Sequence, residues 1–184
     1  MKTWIALLRG INVVGKHKVP MKELAATLER AGFSAVRTYI QSGNVVFRSA
    51  RGSARTLSGR IAQLMLDSFG FAPHVMVLSG TELAEAVRRN PFPGAHRDHK
   101  SLHLFFLSAP PIKPDLDSLA RIDAGREAFV LEGGVFYLYT PDGFAESVLR
   151  SRFERCLGVA ATGRNWRTAN ELLKMLDQHQ EPSD

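Results

Sequence analysis

Three short stretches hold residues whose types and spacing suit recognition of an anion: Arg9 and Asn12 in Leu8-Arg9-Gly10-Ile11-Asn12-Val13, Ser42 and Asn44 in Gln41-Ser42-Gly43-Asn44-Val45, and Arg164, Asn165 and Trp166 in Arg164-Asn165-Trp166-Arg167-Thr168. Arginine offers a planar fork of donors to phosphate or carboxylate, and asparagine adds two donors and an acceptor. Tryptophan supplies a flat wall on which a cation or ring can stack. The acids needed for ordinary general acid/base work are absent from these stretches, so binding is a stronger expectation than catalysis. The expectation is a site for a small anionic, phosphate-bearing ligand. It would use Arg9, Asn12, Ser42, Asn44, Arg164 and Asn165, with Trp166 as a stacking wall, on the first-lobe sheet or between two lobes.

Each stretch also has a structural explanation. Gly43 and Asn44 suit a tight hairpin because both tolerate positive φ, and Asn12 can satisfy backbone groups in a turn. Trp166 can pack under a helix start with Arg164 stacked on it or paired with a carboxylate. Thr168 and Glu171 have the spacing of a capping box, which predicts that Thr168 opens the last helix.

Other chemistries fit the sequence poorly. The run from Gly10 to Gly15-Lys16 follows a strand, but it lacks both the Gly-x4-Gly-Lys-Ser/Thr pattern and the third glycine of Gly-x-Gly-x-x-Gly. No cofactor is expected on that ground, and Lys16, His17 and Lys18 read as a solvated basic loop. His96, His99 and His103 would share a face on a helix, yet His103 falls in the strand pattern Leu102–Leu107 and the others follow prolines, so no metal is expected. Ser42 and Ser147 lack a nucleophile elbow. Cys156, among Phe153, Leu157 and Val159, reads as a buried small hydrophobe.

The elements that must position these residues follow from periodicity and punctuation. Residues 3–8 read as a buried strand ending at Gly10. Pro20 and Gly32 bracket a helix with Met21, Leu24 and Leu28 on one face. Residues 36–48 divide at Gln41–Asn44 into a hairpin. A helix over 56–69 ends at Gly70, a strand covers 74–78, and Ser79 with Glu82 forms a capping box for a third helix that stops before Pro91. The order β-α-β-β-α-β predicts a ferredoxin-like first lobe over residues 1–95, in an α+β protein. The proline-containing stretch 91–100 reads as the junction to a smaller α+β lobe over 96–184. That lobe has strands at 102–107, 128–131 and 135–139, and two closing helices at about 144–157 and 168–178.

Together, the first and third stretches and Arg37-Thr38-Tyr39-Ile40-Gln41-Ser42-Gly43-Asn44-Val45 resemble the bacterial family called domain of unknown function 1697. The likeness runs over nearly the whole chain. It implies a ferredoxin-like first lobe and a cytoplasmic, bacterial setting, and no assigned activity. The family pattern carries a second glycine where Val14 stands and lysines where Val148 and Glu171 stand, so no mechanism that needs those lysines carries over.

Charge and cysteine use narrow the partners. Residues 1–95 hold 13 Lys+Arg and 5 Asp+Glu, and residues 96–184 hold 11 and 13, so the excess positive charge lies in the first half. Such a field favours an anionic partner. Nucleic acid is an alternative, but Tyr39 and Phe47 lack the Lys/Arg-Gly-Phe/Tyr context of RNA-binding strands. A structural or protein-interaction role without ligand is a further alternative. One cysteine excludes an internal disulfide and fits the cytoplasm. No apolar stretch approaches the ~20 residues that a membrane span requires.

Overall fold

The computed structural model describes residues 1–13, 17–94 and 99–178. Within them the protein is a mixed α+β fold with two four-stranded antiparallel sheets and six α-helices. It divides into two compact units, one of Met1–Ala84 with Glu171–Asp184 and the other of Glu85–Asn170. The lobe boundary expected at 95/96 lies among residues outside the description, as do Lys16, His96 and Val14.

The first unit begins with β1 (Lys2–Arg9), α1 (Met21–Arg30), β2 (Ser34–Tyr39), β3 (Asn44–Ser49), α2 (Ala54–Phe69) and β4 (His74–Ser79). Its sheet order is β2-β3-β1-β4. Alternation in β1 sends Trp4, Ala6 and Leu8 to one face, where they join Val45, Phe47, Val75 and Val77. Leu24 and Leu28 of α1 and Leu57, Ile61 and Met65 of α2 cover that face. Local chemistry sets the ends. Gly70 caps α2 in the left-handed region, and Ser53 with Thr56 forms a capping box at its start, two residues before the expected one. The box at α3 (Gly80–Arg88) is present, with Glu82 N donating to Ser79 Oγ at 3.2 Å and Ser79 N donating to Glu82 Oε2 at 2.7 Å.

The second unit contains β5 (Leu102–Leu107), α4 (Leu116–Ala120), β6 (Ala128–Glu132), β7 (Val135–Tyr139), a 3-10 turn at Leu149–Ser151, α5 (Phe153–Leu157) and β8 (Ala161–Asn165). Helix α6 (Trp166–Asp177) then begins. The sheet order is β6-β7-β5-β8. Phe105, Phe136 and Leu138 form the inner face with Leu119, Leu149, Phe153 and Leu157, and Phe136 stacks on Phe153 at 4.7 Å.

Two expectations for the C-terminal region are corrected. The helix expected over about 144–157 is a turn, a 3-10 turn and the short α5. The reason is Glu127, whose carboxylate accepts from Ser147 Oγ at 2.8 Å, Val148 N at 3.0 Å and Leu149 N at 3.3 Å, holding the backbone in a bend before α5. Thr168 does not open the last helix. Asn165 Oδ1 accepts from Thr168 N at 2.9 Å, so Asn165 is the cap and α6 begins at Trp166. The strand β8 that precedes it was not expected. Gly163 allows it, since a Cβ there would lie 2.4 Å from the Phe105 ring.

Candidate functional site

In the first unit, pairing of β1 with β3 brings Leu7 opposite Asn44, and Leu8 N donates to Gly43 O at 2.8 Å. The connection after β1 therefore lies beside the β2–β3 hairpin tip, and Asn12 ties the two together. Its Nδ2 donates to Val19 O at 3.0 Å and to Gln41 O at 2.7 Å, while its Oδ1 accepts from Val19 N at 2.8 Å. Asn12 has φ 55, a conformation asparagine tolerates better than most residues. Asn44 is fully buried, and its Nδ2 donates to Tyr39 O at 3.2 Å and Ser42 Oγ at 3.0 Å. Gly43 holds φ 74, and a Cβ there would approach Leu8 Cβ to 2.8 Å. Arg9 and Ser42 are exposed, with Arg9 opposite His74 in the β1–β4 ladder. The Asn12 amide is thus engaged within the turn and the Asn44 amide within the hairpin, where Gly43 and not Asn44 takes the positive φ expected of both.

In the second unit, a cleft of about 500 Å3 is lined by Lys100, His103, Thr140, Pro141, Asp142, Gly143, Phe144 and Asn165. That volume suits a small molecule. His103 on β5 and Asn165 on β8 are direct register partners, so their side chains leave the same face of the sheet as neighbours. His103 follows the period of the inner face, one step before Phe105, and is only 9% exposed. Its ring stacks on Phe144 at 3.7 Å and 17°, and the Arg150 guanidinium lies 4.7 Å from the centre of Phe144. The bend held by Glu127 is continued by Arg150 N donating to Ser147 Oγ at 3.0 Å, which places Arg150 for this contact.

Burial, reinforced by the nearby Arg150 charge, lowers the His103 pKa to about 4, so the ring is neutral at pH 7. Its Nδ1 is buried and has no hydrogen-bond partner among the described residues. A buried polar atom of this kind costs on the order of 1–3 kcal/mol unless something satisfies it. Asp142 at the rim is engaged by Arg126, whose Nε donates to Oδ2 at 3.1 Å and whose Nη2 pairs with Oδ1. Lys100 is exposed at the rim.

The third sequence stretch divides at this cleft. Asn165 lines it. Arg164 is half-buried on β8, donates from Nη1 to Gly163 O at 2.8 Å, and has its pKa lowered to about 10 by burial. Trp166 is buried at the start of α6 and outside the cleft lining, with its carbonyl accepting from Asn170 Nδ2 at 2.7 Å. The site residues that sequence reasoning missed are His103, Phe144 and Lys100. The available signal was a histidine on the inward period of an otherwise apolar strand, Leu102-His103-Leu104-Phe105. Among the described residues no group of three or more His, Cys, Asp or Glu is placed to hold a metal ion. Cys156 is half-buried against the second unit's core.

Comparison with known proteins adds a family and a fold. No curated protein matches the sequence. The structure is similar to that of the conserved bacterial protein SP0830 from Streptococcus pneumoniae, with a TM-score of 0.74 and 23% identity over 95% of this chain and 98% of that one. At that identity the likeness is one of fold. A family model described as protein of unknown function (DUF1697) matches residues 1–137. The chain therefore belongs to the DUF1697 family.

Proposed function

We propose that this protein binds a small anionic, phosphate-bearing ligand in the cleft of its second unit. The observation that carries the reading is the make-up of the cleft, which joins the exposed Lys100 ammonium at its rim to a wall of Asn165 and of His103, whose buried Nδ1 has no hydrogen-bond partner among the described residues. The acid at the rim, Asp142, is neutralised by Arg126 and does not oppose an anion. Arg164 pairs with Leu104, so its side chain leaves the opposite face of the sheet from Asn165 and lies outside the cleft lining. In this reading Arg9, Asn12, Ser42 and Asn44 build the first unit's turn and do not meet the ligand.

The first unit is read as ferredoxin-like, a reading supported by its β-α-β-β-α-β order and its β2-β3-β1-β4 sheet. A cytoplasmic setting is read from the single, half-buried Cys156, and a bacterial one from the likeness to a conserved bacterial protein. No helix among the described residues is long and apolar enough to cross a membrane.

The test is titration of the full chain with inorganic phosphate, followed by NMR of the histidine rings and side-chain amides. Saturable shifts at His103 and Asn165 are expected. Shifts confined to Asn12 and Asn44, or no saturable shift, would overturn the reading.

A further inference from the structure

The distribution of charge within the cleft bears on the kind of ligand, given that the cleft is the anion site proposed above. Its inner wall is uncharged. His103 and Asn165 stand side by side across the β5–β8 ladder, and the Asn165 oxygen is committed to capping α6 through Thr168 N. The cations lie farther out, with Lys100 exposed at the rim and Arg150 laid against Phe144, whose ring also stacks on His103.

A phosphate pushed against the neutral pair would lose its hydration without gaining a counter-charge, which is costly for an anion. At the Lys100 rim it keeps both water and an ammonium. A hydroxyl carries no such penalty on the inner wall. It both donates and accepts, so it complements an imidazole in either tautomer and the NH2 group of a carboxamide. Among the described residues His103 Nδ1 has no hydrogen-bond partner, so the inner wall is short of one such polar group.

We infer that the ligand is a hydroxylated phosphate ester, a polyol or sugar phosphate, bound with its phosphate at the Lys100 rim and a hydroxyl against the His103–Asn165 pair. The ligand is thereby oriented by two different chemistries at the two ends of one cleft.

Glycerol 3-phosphate and n-propyl phosphate share a three-carbon skeleton and a phosphate and differ in hydroxyls, which makes them the discriminating probes. Calorimetric titration of the full chain is expected to show glycerol 3-phosphate binding at least tenfold more tightly. In His103→Phe the ratio of the two affinities is expected to fall below about threefold. Equal affinities in the unaltered protein would overturn the hydroxyl inference and leave the anion site standing. Saturable binding of neither probe, nor of inorganic phosphate, would overturn both. The comparison in the unaltered protein decides the matter even where His103→Phe fails to fold. A ratio that survives in a folded His103→Phe protein would place the hydroxyl elsewhere and defeat the assignment.

Discussion

Asn12 in the first unit follows the end of β1 and Asn165 in the second ends β8, each near an arginine in the chain, yet the fold uses them differently. Asn12 commits its oxygen to Val19 and its NH2 group to Val19, Gln41 and the Met21 sulfur, closing a turn. Asn165 commits its oxygen to the start of α6 and stands in the lining of a cleft, opposite a histidine whose Nδ1 has no partner among the described residues. The difference teaches that an Arg/Asn motif has something to offer a ligand only where hydrogen-bonding capacity is left over once the backbone has been satisfied.

The sharpest way to break this contrast is Asn12→Ala. The side-chain bonds to Val19, Gln41 and the Met21 sulfur are lost and alanine must take φ 55, so we expect a loss of about 4 kcal/mol in denaturant unfolding. Phosphate binding by the second unit should persist wherever the protein is folded. A near-neutral substitution would show that Asn12 is not a clamp.

Acidification probes the other unit. The His103 pKa is depressed in the folded state from an ordinary 6.5 to about 4, so the unfolded chain takes up the proton first as pH falls. Stability should drop between pH 6.5 and about 4 by roughly 3 kcal/mol and level off below, with no contribution from this group above pH 6.5. Comparing unfolding of the native protein and of His103→Phe across this range isolates the effect. Identical pH slopes would show that the ring is not buried neutral.

At Asn165 the two roles separate. Asn165→Ala should cost about 1 kcal/mol through the lost cap. Asn165→Asp keeps a capping oxygen but places a carboxylate in the cleft, so thermal stability should be retained while phosphate affinity falls at least tenfold. Retained affinity in the aspartate variant would remove Asn165 from the site. The smallest effect is expected at exposed Arg9, where replacement by alanine should change stability by less than about 1 kcal/mol and leave phosphate binding within twofold. A tenfold loss of binding there would return the first unit's turn to the ligand.

Much of the architecture was legible because its determinants are local. Met21, Leu24 and Leu28 report one helical face within two turns, Gly70 ends α2 by its own left-handed geometry, and Ser79 and Glu82 cap α3 across three residues. The hairpin around Gln41–Asn44 is likewise written in its own turn residues. The helix expected over 144–157 failed because the carboxylate that bends the chain there belongs to Glu127, on the approach to β6, and no local pattern announces that bond.

By itself the sequence determined the α+β class, the family motifs and the element order of the first unit, since periodicity and capping act between residues a few positions apart. Tertiary structure decided that Ala161–Asn165 is a strand and that His103 meets Asn165 across it. It also decided that Phe144 covers the imidazole and that Asn12 is consumed in a turn. Strand pairing sets which side chains become neighbours across long separations, and burial then sets which of their polar atoms are left without partners.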